Sequence, residues 1–137
     1  MRGVSTYHDP SKGSERGANT VFTMKINHIQ LCHLGDLGHL LSDQELAEIG
    51  PVDILLIPVG GFFTIDPKEA TRVAEQIKPR ILIPMHFKTK KCGFSIAPVE
   101  DFLKGKTNIK QPKASEATFD KATLPQQMEI VVLEHAL

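Results

Sequence analysis

Ile29-Gln-Leu-Cys-His-Leu-Gly-Asp-Leu-Gly-His39 is the stretch on which the reading of this chain turns. Ile29 to Leu34 is apolar-rich and alternates, the pattern of a β-strand. It runs into Gly35-Asp36-Leu37-Gly38, where two glycines bracket a carboxylate. A glycine turn at a strand end lets the backbone bend sharply and aim one short acidic side chain into a cleft. His33 and His39 flank it, and imidazole with carboxylate is a ligand set that suits zinc. The plainer reading is a turn in which Asp36 bonds its own backbone.

Upstream, Thr20 to Ile26 reads as a strand joined to Ile29 through an Asn27-His28 turn, so the two form a hairpin and His28 is a turn residue. Gly3 to Tyr7 is a short strand that delivers His8-Asp9-Pro10 into a polar loop over Ser11–Asn19, longer than the usual connection. Downstream, Ser42-Asp-Gln-Glu45 carries the capping-box pattern and opens a short helix that stops at Gly50-Pro51. Val52 to Val59 is a nearly continuous apolar run, the mark of a strand covered on both faces, and ends in Gly60-Gly61. Asp66-Pro67-Lys68-Glu69 is the clearest helix start, with Ala70, Val73, Ala74 and Ile77 forming one buried stripe before Lys78-Pro79 stops it. Arg80 to Pro84 is the next buried strand and delivers Met85-His86-Phe87. Beyond it the signal weakens: a short helix over 97–105 opened by Pro98, a polar loop over 106–117, a last strand over 128–133, and His135 in a solvated tail.

The order is α/β, and ligands in open α/β sheets gather at strand ends, so His8, Asp36 and His86 are expected to converge there. A self-contained site from His33, Asp36 and His39 is the local alternative. The chain has 137 residues, 41% of them apolar and 23% charged, the mix of one globular domain. Its 16 basic and 16 acidic residues cancel, which gives no bulk charge to draw nucleic acid or an anionic membrane. Lys88, Lys90 and Lys91 form the only dense basic run, a solvated loop or a lure for an anionic substrate next to His86. The two cysteines, Cys32 and Cys92, make no disulfide framework and suit a reducing cytosol, with Cys32 read as a buried, inert thiol. No membrane-length apolar run or signal-peptide core is present, so the expected location is cytoplasmic.

Three ordered segments carry a family resemblance: Tyr7-His8-Asp9 with Arg16-Gly17, then His33-Leu-Gly-Asp36-Leu-Gly-His39, then Ile83-Pro-Met-His86-Phe-Lys-Thr89. Together with Val52 to Gly61, Thr64 and Asp66 they resemble the second βα half of the αββα metallo-β-lactamase sandwich. The branch they look most like is the small zinc-dependent hydrolases that include the ascorbate-phosphate lactonases. The resemblance implies that His8 is a ligand of a first zinc ion, His86 of a second, and that Asp36 bridges both and is the catalytic carboxylate. It implies outer or substrate-facing roles for His39, His33, Arg16, Thr64 and Lys88. The family's His-x-His-x-Asp-His signature does not occur in these 137 residues, so the chain is expected to be one partial domain, C-terminal in the family fold. Two readings follow. One is a portion of a zinc-dependent hydrolase of a small, anionic ester, lactone or phosphoester, incomplete by itself. The other is a non-catalytic half-domain that folds by association with a second copy or a complementing chain.

Overall fold

The computed structural model describes residues 1–136. Seven strands form one sheet in the order β1-β2-β3-β4-β5-β7-β6. They are β1 (Arg2–Tyr7), β2 (Ala18–Ile26), β3 (Ile29–His33), β4 (Ile54–Pro58), β5 (Ile81–Met85), β6 (Ile109–Lys110) and β7 (Glu129–Val131). β2 is antiparallel to both β1 and β3, and every later pairing is parallel. All strands except β2 therefore run the same way, and the segments after β1, β3, β4 and β5 emerge along one rim.

Asn27 and His28, the turn residues of the β2–β3 hairpin, both take positive φ, as a tight primed turn requires. Helix α1 (Asp43–Ile49) is closed by a complete capping box between Ser42 and Glu45, and α2 (Pro67–Ile77) by the same device between Asp66 and Glu69. Helix α3 (Val99–Leu103) begins after Pro98. Two elements lie where the sequence shows no regular pattern. β6 is a two-residue strand inside the expected polar loop of 106–117, and Lys121–Thr123 is a 3₁₀ turn. β6 owes its pairing to β7 rather than to its own pattern, which is too short to register as periodic.

The two faces of the sheet differ. All three helices bury Ile49, Ala70, Val73, Ala74 and Phe102 against one face, where Val21, Cys32, Leu55, Ile57 and Leu82 are sealed. The opposite face carries Ile29, Ile54, Ile81 and Ile83, covered at one end by Phe119 and Leu124. Towards β2 that cover runs out: Leu31 and Leu56 are half-buried, Phe22 is 41% exposed and Ile26 52%. The β4 run is thus fully covered on the helix side and only partly on the other, which corrects the expectation of cover on both faces.

Asp53 ties the strand starts together. Its carboxylate accepts the Gln30 N–H and the Lys121 ammonium, both at 2.8 Å, with the Arg80 guanidinium at 4.0 Å. Its backbone N–H donates to the Gln30 carbonyl, and its own carbonyl accepts from Arg80 and Ile81. Burial acts against the charge on Asp53, but the Gln30 N–H, the Lys121 bond and the two cations outweigh it and hold its pKa below the usual carboxylate value. A folded-state pKa below the unfolded value of about 3.9 gives stability that is complete above that value and is lost as pH falls through the lowered one. Asp53→Asn is expected to cost about 2 kcal/mol at neutral pH and to flatten the acid limb of stability. Urea unfolding of both proteins between pH 7 and pH 3 checks this; parallel acid limbs would remove Asp53 from the account.

Candidate metal centre

β1 ends at Tyr7 and hands His8 to the rim, and two neighbours fix its position. On one side, the loop after it is folded around Asp9. The Asp9 carboxylate is fully buried and accepts four backbone N–H groups, those of Ser11 and Gly13 on Oδ1 and those of Glu15 and Arg16 on Oδ2, at 2.7–3.1 Å. Burial opposes ionisation, yet the four donors prevail and hold its pKa down at about 2. On the other side lies Gly38. Its N–H donates to the Tyr7 carbonyl at 3.0 Å, and a Cβ there would stand 2.2 Å from the His8 carbonyl carbon. Glycine is what lets the two backbones meet.

That meeting brings His8 to Asp36. His8 Nε2 lies 3.4 Å from Asp36 Oδ2, longer than a good hydrogen bond, with Asp36 half exposed to solvent. His8 Nδ1 is buried and has no hydrogen-bond partner among the described residues. Buried ring nitrogens are rarely left so, and a histidine that ligates through one nitrogen usually donates from the other.

His86 follows β5 on the same rim, exposed, with a left-handed φ of 54° that is uncommon outside glycine. Gly60, at the end of β4, makes room for it: a Cβ on Gly60 would lie 2.2 Å from the His86 carbonyl oxygen. Asp36 and His86 thus stand beyond the ends of β3 and β5, on either side of β4. His86 makes no ion pair or side-chain hydrogen bond with His8 or Asp36 among the described residues. Those residues hold no group of three or more His, Cys, Asp or Glu side chains placed to take a metal ion. A closed zinc site uses four ligands, so this chain by itself does not fit one.

The local alternative fails on geometry. His33 Nδ1 accepts the Gly35 N–H at 3.0 Å, and His39 points away to the Tyr7 N–H and the Leu40 carbonyl, so the two do not gather around Asp36. Arg16 sits 5.8 Å from the ring centroid of Phe63, which also stacks edge-on with Phe62 and Phe94. Thr64 is buried, with its hydroxyl 3.3 Å from the Ile65 carbonyl. Lys88 donates to the Phe94 carbonyl at 3.1 Å and its backbone N–H to Ala97. Sequence reasoning gave Asp9 no role. Its place before Pro10 and near Gly13 and Gly17 was the available signal for a carboxylate organising a turn.

A family model described as the beta-lactamase superfamily domain matches residues 1–86, the N-terminal part of this chain. The chain belongs to that superfamily. A UPF0173 metal-dependent hydrolase of Carboxydothermus hydrogenoformans is 47% identical over 68 residues, covering 50% of this chain and 30% of that protein. A relative of the same name from Pyrococcus furiosus is 38% identical over 89 residues, covering 63% and 39%. Among solved structures, a proposed Zn-dependent hydrolase of the metallo-beta-lactamase superfamily from Thermotoga maritima superposes with a TM-score of 0.82 at 41% identity, over 96% of this chain and 63% of that one. A metal-dependent hydrolase structure from Parabacteroides distasonis, at 18% identity and a TM-score of 0.56, shares the fold. The mixed α/β sheet is therefore metallo-β-lactamase-like, and the chain spans under two fifths of the curated relatives it matches. No helix among the described residues is long and apolar enough to cross a membrane.

Gly38→Ala is expected to destabilise the chain by at least about 3 kcal/mol, the upper end for forcing extra volume into packed structure, because backbone on both sides must move. Thermal unfolding measures the loss; an unchanged midpoint would mean the rim yields more readily than its packing implies. Asp9→Ala is expected to speed amide hydrogen exchange at Ser11, Gly13, Glu15 and Arg16 together, since one carboxylate serves all four. Protection retained at any of them would exclude Asp9 as the organiser of the loop.

Proposed function

We propose that this chain contributes part of the active site of a metal-dependent hydrolase, the part that carries His8, Asp36 and His86 and lacks the His-x-His-x-Asp-His loop. The observation that supports it most is the His8–Asp36 pair: Nε2 and Oδ2 at 3.4 Å, held by backbone contacts on both sides, with an unpartnered nitrogen on the same ring. Zinc is the ion these donor types suit, and the name of the Thermotoga maritima structure agrees with it. Asp36 would then be the carboxylate shared between two ions, His8 a ligand to one and His86 to the other. The chain on its own supplies too few donors, so the remaining ligands would come from a complementing segment or a partner copy.

The half-covered sheet face around Phe22, Ile26, Leu31 and Leu56 is where the complement would pack. The substrate class that the branch suggests is a small ester, lactone or phosphoester. Arg16 and Lys88 on the rim favour an anionic one, and the chain's even charge balance favours neither nucleic acid nor a membrane surface.

Zinc titration followed by calorimetry and elemental analysis tests this. The chain alone is expected to take up less than one tightly held ion. Mixed with a segment bearing the His-x-His-x-Asp-His loop, it is expected to retain about two. Asp36→Ala is expected to abolish that gain. Tight stoichiometric binding by the chain alone would show a ligand set elsewhere, and no gain on complementation would favour the non-catalytic half-domain.

A further inference from the structure

Tyr7, the last residue of β1, stands opposite Ala18 of β2 with its N–H and carbonyl both turned to the outer edge of the strand. That edge would be open, since β1 is the first strand of the sheet. Yet both outer groups of Tyr7 are taken by one dipeptide: the carbonyl by the Gly38 N–H at 3.0 Å, and the N–H by His39 Nε2 at 3.1 Å. Gly38-His39 thus closes the edge beside His8 with one backbone group and one side chain.

The hydrogen-bonding of His39 is determined by its partners. Nδ1 lies 2.7 Å from the Leu40 carbonyl oxygen, which can only accept, so Nδ1 carries the proton. The Tyr7 N–H can only donate, so Nε2 must present its lone pair. His39 is therefore the neutral Nδ1–H tautomer, with its ring 5.9 Å from that of Tyr7 and 17% exposed. Glu45 Oε2, at 3.8 Å from Nε2, is the charged group facing it and lies beyond hydrogen-bond reach. Neither nitrogen is left for a metal or a substrate.

We propose that His39 is a positioning residue for His8. With its N–H held by His39 and its carbonyl by Gly38, Tyr7 is fixed on both sides of its Cα, and this sets the direction in which the chain enters His8 and the distance of His8 from Asp36. The proposal deepens the hydrolase reading, since the importance of His8 rests on that reading, but the geometry of the clamp does not depend on metal. A histidine that only filled space would be replaceable by any side chain of similar bulk. A clamp needs an acceptor at the Nε2 position.

Amide side chains separate these roles, because glutamine can place its oxygen near Nε2 and asparagine places its polar atoms near Nδ1. The chain is compared by NMR as His39→Gln, His39→Asn and His39→Ala, following amide exchange at Tyr7 and the ring resonances of His8. His39→Gln is expected to stay near the wild type. In His39→Asn and His39→Ala, Tyr7 exchange is expected to rise about tenfold, the effect of one lost hydrogen bond, and the His8 ring signals are expected to shift. Wild-type behaviour in His39→Asn, or a glutamine variant as disturbed as the alanine one, overturns the proposal. The wild-type chain gives a second measurement that needs no variant. Two-bond proton–nitrogen correlations are expected to place the His39 proton on Nδ1, and a proton on Nε2 would exclude the clamp. A zinc titration that fails even with the complementing loop would count against the hydrolase reading alone, and the Tyr7 and His8 signals would still decide the clamp.

Discussion

The rim of this sheet depends on one backbone-to-backbone contact, Gly38 against Tyr7 and His8. β1 and β3 are not neighbours; β2 lies between them, running the other way. The chain after β3 must cross over the end of β2 to reach β1, and it can do so only where no side chain intervenes. A hydrogen bond to the Tyr7 carbonyl then fixes the crossing. Asp36, two residues before Gly38, is carried to His8 by that crossing.

Around this contact the rim is built mainly from backbone groups, while side chains serve as fasteners. Asp9 gathers four N–H groups and so turns a polar loop of the kind that would otherwise be mobile into a fixed wall behind His8. Gly60 does for β4 and His86 what Gly38 does for β3 and His8. The Ile65 N–H bond to the Leu37 carbonyl joins the two glycine turns into one continuous surface. At the opposite end of the strands, Asp53 performs the corresponding task for β3, β4 and β5. Two buried carboxylates, one at each end of the sheet, thus hold the backbone that the apolar core cannot orient by itself, because hydrophobic burial is non-directional.

The elements with a periodic or capped signature were legible in the sequence. The hairpin through Asn27-His28, both capping boxes and the stop at Lys78-Pro79 stand within a residue or two of where the pattern puts them. β6 was not legible, since two residues carry no period and their pairing comes from β7. His8, Asp36 and His86 do share one rim, because parallel strands deliver their ends to the same side. The pattern could not say that only the first two would touch. That depends on close approach at Gly38, and a glycine reads alike whether it turns the chain or admits a neighbour. The role of His39 was hidden for a related reason: its partners, Tyr7 N–H and Leu40 carbonyl, are backbone groups that every sequence possesses.

The two thiols of the chain live in opposite environments. Cys32 lies in the middle of β3 with no accessible surface, and burial pushes its pKa up to about 12, so at neutral pH it offers no thiolate. Cys92 lies outside the sheet, partly exposed, between the basic run and Phe94 and six residues beyond His86. Of the two thiols in these 137 residues, Cys92 is therefore the addressable one, in the segment that follows His86. A fluorophore or spin label joined there would sense the approach of a complementing chain without any residue of the fold being altered.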